Sequence, residues 1–186
     1  MKIKTRIITL LITLILSLFL FAGFCLESPS AMWVGIAKGQ AGRGEYDEAI
    51  VSFNTALEKS PNSWYVYLNR GEFFLKIERY EEAVTDLTRV VELYPKLNYI
   101  YKIYTERGDA YRMLGRHYDA IGDYTTALSL RPNHAAALFG RGVSLAEVGR
   151  RTQALADLGR ACGLKYAPAC DAYGEIRARG GAGGAQ

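Results

Sequence analysis

YKIYTERGDAYRMLGRHYDAIGDYTTALSLRPNH, residues 101–134, decides how this chain folds. Its apolar residues recur three and four apart in two blocks, 101–114 and 117–130, which is the spacing of one stripe along an α-helix. Gly115 and Arg116 separate the blocks, and Arg131-Pro132-Asn133 closes the second, so the stretch predicts a helix-turn-helix hairpin. Numbered from Tyr101, the residues Tyr104, Gly108, Tyr111, Ala120, Tyr124, Ala127 and Pro132 stand at positions 4, 8, 11, 20, 24, 27 and 32 of a 34-residue unit.

The same unit recurs on both sides. At 64–97 the register residues are Tyr67, Gly71, Phe74, Ala83, Leu87, Val90 and Pro95; at 30–63 they are Trp33, Ile36, Ala37, Ala49, Phe53, Ala56 and Pro61. A fourth copy, 135–168, keeps Leu138, Gly142, Leu145, Ala154, Leu158 and Ala161. Repetition at a fixed period marks a stack of supersecondary units, none of which buries its apolar stripes alone. In these residues the chain resembles the tetratricopeptide-repeat family, with its Trp, Leu-Gly and Tyr on a first helix and Ala, Phe, Ala and Pro on a second. The resemblance implies an all-α solenoid of four hairpins over residues 30–168, followed by a capping helix at 168–179. It says little about function, because such arrays host many unrelated binding roles.

Small residues at positions 8 and 20, such as Gly71 with Ala83, Gly108 with Ala120 and Gly142 with Ala154, predict a close approach of the two helices in each hairpin. Pro near position 32 cannot continue a helix but can open the next. The fourth unit has Tyr166 there and Pro168 two residues later, which marks the end of the array. Between the second and third units the period slips by Asn98, Tyr99 and Ile100. Tyr94, Tyr99, Tyr101 and Tyr104 crowd that joint, either as packing for a looser junction with a longer following helix or as an aromatic groove for an extended peptide.

Two charges appear and vanish together. The last three units carry Arg70, Arg107 and Arg141 before the first-helix glycine, and Asp86, Asp123 and Asp157 three residues after the second-helix alanine. The first unit has Ile36 and Ser52 instead. This predicts three Arg–Asp bridges across the hairpins, the alternative being an arginine ladder for an anionic ligand. It also implies that altering Ser52 costs little.

Ahead of the repeats, Lys2, Lys4 and Arg6 precede eighteen residues without a charge, Ile7 to Phe24. A basic stretch before an apolar core is the pattern of a secretory signal. The core spans about 27 Å as a helix, close to a bilayer's hydrocarbon thickness, so an uncleaved anchor is the alternative. Residues 1–30 are thus expected to be a signal peptide or membrane anchor. Small residues at Ser28 and Ser30 suit cleavage before Ala31, and Cys25 suits lipidation except for the bulky Phe24 before it. In each case the charge pattern sends the rest of the chain outward; the expected compartment is the periplasm of a bacterial-type envelope, with eukaryotic secretion as the alternative.

Without residues 1–30 the chain has 20 basic and 18 acidic residues, which is no nucleic-acid footprint. The balance is uneven: residues 31–95 hold 7 basic and 10 acidic, and residues 96–186 hold 13 and 8. Near the end, Cys162 and Cys170 stand eight apart in ACGLKYAPACDAYG. An exported compartment permits a disulfide there, with two buried thiols as the alternative. The stretch also resembles the cysteine-rich Sel-type relatives of tetratricopeptide repeats, in which Cys at this spacing ties neighbouring helices. GGAGGAQ, residues 180–186, has nothing to bury and is expected to be a flexible tail.

No nucleophile elbow, phosphate loop or metal signature is present, so the sequence points away from an enzyme and implies no cofactor and no metal. The resemblance places function on the inner face made by the first helices. Transferred residue by residue, that face comprises Val34 and Lys38; Tyr65, Leu68, Asn69, Glu72 and Lys76; Lys102, Thr105, Glu106, Asp109 and Arg112; and Phe139 and Val143. The family's two-carboxylate clamp matches only at Asn69 and Lys102, while Val34, Lys38 and Glu106 depart from it. The expectation is a non-catalytic interaction module or scaffold that binds a protein or peptide by another chemistry. A membrane-anchored structural assembly subunit, a homo-oligomer, and an accessory subunit of an envelope enzyme are the alternatives.

Overall fold

The computed structural model describes residues 29–181. Residues 1–28, with nearly all of the expected signal or anchor, and residues 182–186 lie outside the described residues. Every described element is a helix: α1 (Pro29–Gly42), α2 (Tyr46–Lys59), α3 (Trp64–Lys76), α4 (Tyr80–Leu93), α5 (Ile100–Met113), α6 (His117–Leu130), α7 (Ala135–Glu147), α8 (Arg151–Gly163) and α9 (Ala167–Gly181). No described helix is long and apolar enough to cross a membrane. The chain divides into two compact units, one holding α1 and α2 and the other α3 to α9.

In the first unit α1 packs along α2. Val34 and Ala37 on α1 and Ala49, Phe53 and Ala56 on α2 are all shut off from water. Ile36, at the register of a packing residue, is 40% exposed, and Val34 fills the core in its place. Ser52 is not the inert position that its uncharged neighbour implied. It is buried, and its Oγ donates a 2.7 Å hydrogen bond to Oε1 of Gln40 on α1. A neutral bond thus ties this hairpin together where the others use an ion pair, and breaking it leaves a buried polar group unsatisfied.

The second unit is a solenoid of three hairpins, α3–α4, α5–α6 and α7–α8, capped by α9. Each second helix packs on the next first helix, α4 on α5, α6 on α7 and α8 on α9. Turns within the hairpins pass through one residue with positive φ, Glu78 in the first and Gly115 and Gly149 in the next two. The inserted Asn98-Tyr99-Ile100 extends α5 by one residue at its start, and Ile100 is buried against Ile103, Leu87 and Val90. Around it Trp64 holds Tyr65, Tyr94 and Tyr99 at centroid distances of 6.0, 6.0 and 6.1 Å. Tyr101 leaves this joint and meets His134 edge-on at 5.1 Å, with the Arg131 guanidinium over its ring.

The position-8 glycines admit the side chain at position 24 more than they admit the opposite helix backbone. A Cβ on Gly71 would lie 3.2 Å from Leu87, one on Gly108 2.9 Å from Tyr124, and one on Gly142 2.7 Å from Leu158. At Gly142 opposing backbone also comes near, the carbonyl of Ala154 lying 3.3 Å from the Cβ position. The small residue makes a socket for the position-24 core side chain of its own hairpin, Leu87, Tyr124 or Leu158.

All three Arg–Asp pairs are bidentate. Arg70 Nε and Nη2 donate to Asp86 at 2.7 and 2.7 Å, Arg107 to Asp123 at 2.7 and 2.8 Å, and Arg141 to Asp157 at 2.7 and 3.0 Å. Arg107 and Arg141 also reach back to the preceding hairpin: Arg107 Nη1 donates to Thr88 Oγ1 at 3.0 Å, and Arg141 Nη1 to Thr125 Oγ1 at 3.2 Å. Neighbouring repeats are therefore joined through the same side chains that lock each hairpin.

Cys162 ends α8 and Cys170 lies in the first turn of α9, with Cα atoms 4.7 Å apart and the sulfurs bonded. The cap runs from Ala167 to Gly181, further than its expected end. Ala169, Ala172, Tyr173 and Ile176 pack it against the Tyr124–Leu138–Leu158 core. Arg151 Nη2 donates to the carbonyls of Ile176 and Arg177, which satisfies backbone oxygens near the end of α9.

Candidate partner-binding face

Position along a helix decides which expected lining residues reach the surface. On α3, Tyr65, Glu72 and Lys76 are exposed, whereas Leu68 and Asn69 are buried. Leu68 belongs to the core around Leu87, and the Asn69 amide donates to the carbonyl of Tyr65 in its own helix. On α5, Lys102 is exposed and Glu106, Asp109 and Arg112 are half-buried, while Thr105 is buried and donates to the carbonyl of Tyr101 at 2.8 Å. Leu68, Asn69 and Thr105 thus support the face from below and are not part of an accessible lining. On α7, Phe139 and Val143 pack half-buried against the core, and the Phe139 ring lies 5.5 Å from that of Tyr166. In the first unit, Val34 is fully buried and Lys38 is exposed on α1.

What remains is a charged field centred on α5. Tyr124, rising from α6, passes its phenol against both Gly108 and Gly140. There its hydroxyl donates to Oδ1 of Asp109 at 2.7 Å. The Arg112 guanidinium stands 3.7 Å from the same carboxylate oxygen. Burial pushes the Asp109 carboxyl above its ordinary range, against the opposing pull of Tyr124 and Arg112. Burial and the nearby Asp109 charge likewise push the Tyr124 phenol well above 10.

Glu106 is the most perturbed acid of the face. Burial first, then the charges of Glu72 and Asp109, raise it to about 7, with Lys102 pulling the other way. Its Oε2 is buried without a hydrogen-bond partner, and so is Nε of Arg112. His134 is held below its ordinary value by burial and by Lys102. Among the described residues no group of three or more His, Cys, Asp and Glu side chains is arranged to hold a metal ion.

Tyr124 was absent from the expected face because the resemblance assigns function to first helices and reads position 24 as core, and Gly140, although on a first helix, has no side chain to offer as lining. One signal was available. Position 24 is Phe53, Leu87, Tyr124 and Leu158 in successive units, and only Tyr124 adds a hydroxyl that needs a partner.

The model of the tetratricopeptide repeat matches residues 35–98 and 105–165, two thirds of the chain. The chain belongs to the tetratricopeptide-repeat family. As a member it is a protein-interaction scaffold, and its hairpins are tetratricopeptide repeats. Among solved structures, this tetratricopeptide-repeat chain is similar to a crystal structure of MamA protein, with 21% identity, a TM-score of 0.74 and 82% of each chain covered. A second MamA crystal structure shares 22% identity at a TM-score of 0.71, covering 78% of this chain and 85% of its own. MamA 41-end from Desulfovibrio magneticus RS-1 shares 20% identity at a TM-score of 0.67, covering 76% and 78%. Identities this low carry the fold of the repeats and nothing further. No curated protein matches the chain by sequence.

Proposed function

We propose that this tetratricopeptide-repeat chain is an exported interaction module, held at the outer side of a membrane by residues 7–24, whose second unit binds a protein segment on the exposed face of α3 and α5. The reading rests above all on Glu106. A buried carboxylate oxygen without a donor costs about 1–3 kcal/mol or more, and Glu72 and Asp109 beside it add like charge. A lysine or arginine brought by a partner would supply the missing donor and the missing charge together. That makes a partner segment with a basic residue the best fit, and it explains why the carboxylate-clamp chemistry of the family has no counterpart here.

Retention of the N-terminal segment is favoured by the start of α1. Ser30 lies inside that helix at 3% exposure, so cleavage after it would remove the helix's first two residues and a buried group. The shared ladder of Arg–Asp and Arg–Thr bonds gives the array the stiffness that a binding face needs.

The experiment is capture from membranes with a photo-crosslinking residue at position 72 or 76, in the otherwise native chain and in Glu106→Gln. A heterologous protein captured by the first and lost in the second, with helical content unchanged, is the expected outcome. Capture that ignores Glu106→Gln would remove the face from the proposal. A chain protected from protease added outside the inner membrane would overturn export.

A further inference from the structure

Helix α1 is built unlike a surface helix. Its inward stripe is Ser30, Val34 and Ala37, all buried. At 100° per residue, the opposite stripe is Met32, Gly35, Ile36 and Gly39. That outward stripe carries no charged or hydrogen-bonding side chain of its own, although the free side of a surface helix is ordinarily polar; at its far end the Arg43 guanidinium, paired with Glu45, lies 3.5 Å from where a Cβ on Gly39 would stand. Met32 is 51% exposed and Ile36 40%, one turn apart on the same line. Trp33 flanks the stripe on one side and Lys38 on the other, and α1 as a whole holds one lysine and no acid.

We infer that this outward stripe of α1 lies on a lipid surface. The inference rests on the proposal that residues 7–24 remain in the membrane. The end of that apolar segment, Phe24, is five residue steps from Pro29, at most about 18 Å even when fully extended. The headgroup layer on one side of a bilayer is about 5–8 Å deep, so α1 begins within reach of it. Trp at the edge of an apolar face is the side chain that prefers the membrane–water boundary, and the positive charge of Lys38 beside it complements anionic headgroups. The apolar stripe, the flanking Trp33 and Lys38 and the short tether all select the same occupant. A second copy of the chain would satisfy the stripe but would give no role to the lysine or the tether length.

Depth-dependent fluorescence quenching tests this in the full chain reconstituted into phosphatidylcholine–phosphatidylglycerol vesicles with brominated acyl chains. Trp64→Phe leaves Trp33 as the reporter, and Trp33→Phe leaves Trp64, which sits in the aromatic cluster of the second unit. The expected result is loss of Trp33 emission, with a blue shift, in brominated relative to plain vesicles, and no such loss for Trp64. Adding Met32→Asp with Ile36→Asp should restore Trp33 emission while the chain still floats with the vesicles. Flotation with Trp33 emission equal in both vesicle types would overturn the inference and leave the anchor standing. Failure to float would overturn both. A photo-crosslinking residue at position 36 that captures a second copy of the chain, and not lipid, would also overturn it.

Discussion

The hydroxyl of Tyr124 donates to Oδ1 of Asp109 at 2.7 Å, and this bond joins the deepest aromatic core residue to the charged face of α5. The fully buried ring is held in place by two helices that carry no side chain where it passes. Tyr124→Phe keeps the ring and removes the donor, stranding a carboxylate oxygen. It should cost about 1.5–3 kcal/mol, the range for hydrogen bonds to charged groups. Urea unfolding at neutral pH measures it, and an unchanged midpoint would show that the bond contributes nothing.

Glycine at 140 is required by this ring. A Cβ there would fall 2.3 Å from Tyr124 Cζ, and the ring cannot retreat without leaving Asp109. Gly140→Ala should therefore destabilise by about 1–3 kcal/mol through overpacking, in spite of the helix propensity that alanine adds. Gly122 lies within α6 with open space around it, and the same change there should stabilise by up to about 1 kcal/mol. Thermal melts of the two variants should move in opposite directions.

Glu106 makes stability depend on pH. Its ordinary value is 4.5 and its folded value is about 7, so between these limits the folded chain keeps a proton that the unfolded chain has released. The stability contributed by this group is fully present below about pH 4.5 and is lost as the pH rises through about 7. Glu106→Gln removes that dependence and should leave the chain about 1–3 kcal/mol more stable than the parent at pH 8, with little difference near pH 4. Denaturant titrations at the two pH values decide it. A parent as stable at pH 8 as the glutamine variant would mean that Glu106 is better solvated than its surroundings indicate.

The bridges are testable as pairs. Arg107 and Asp123 are both nearly buried, at 13% and 10% side-chain exposure, so truncating either leaves a charge without its partner. Arg107→Ala should cost about 3–5 kcal/mol, and the double change with Asp123→Ala should cost clearly less than the two single losses added together. Strict additivity would mean that the two side chains do not interact in solution. Arg107→Lys offers a further discrimination, since lysine retains the charge but cannot bond Asp123 at two points and Thr88 at a third.

Repetition made the hairpins legible in the sequence because a packing position in a repeat is constrained four times over. The arginine and aspartate of each bridge were legible for a similar reason, appearing together in three units and missing together from the first. Contacts that occur once left no such trace. Ser52 bonds Gln40 only because the first unit lacks the ion pair, and Tyr124 reaches Gly140 only where position 6 of the following unit has no side chain. The candidate face was legible only in part: the repeat register names Leu68, Asn69 and Thr105 as lining residues of α3 and α5. It does not give the depth at which the neighbouring helix covers them. Glu106 could be named as lining, but its raised affinity for a proton comes first from burial and then from Glu72 on another helix, which spacing along one helix cannot express.

The disulfide between Cys162 and Cys170 should hold the end of the array. Helix α9 has a neighbour on one side only, and Tyr173 and Ile176 are its large apolar contacts with the core. Closing a loop of nine residues restricts the unfolded chain by roughly 2–3 kcal/mol on the chain-entropy account. A cap with so little burial depends on that contribution more than the middle hairpins, which also have Arg107 and Arg141 reaching back to the preceding repeat. Reduction, or Cys162→Ser with Cys170→Ser, should therefore speed amide hydrogen exchange through residues 167–181 while exchange in α5 and α6 stays as it was. The carbonyls of Ile176 and Arg177, held by Arg151, are the last contacts expected to yield. Equal protection of α9 with and without the bond would assign the cap's stability to Ala169, Tyr173 and Ile176 alone. A loss spread evenly over α3 to α9 would show that the cap and the hairpins unfold as one cooperative body, with the disulfide stabilising all of it.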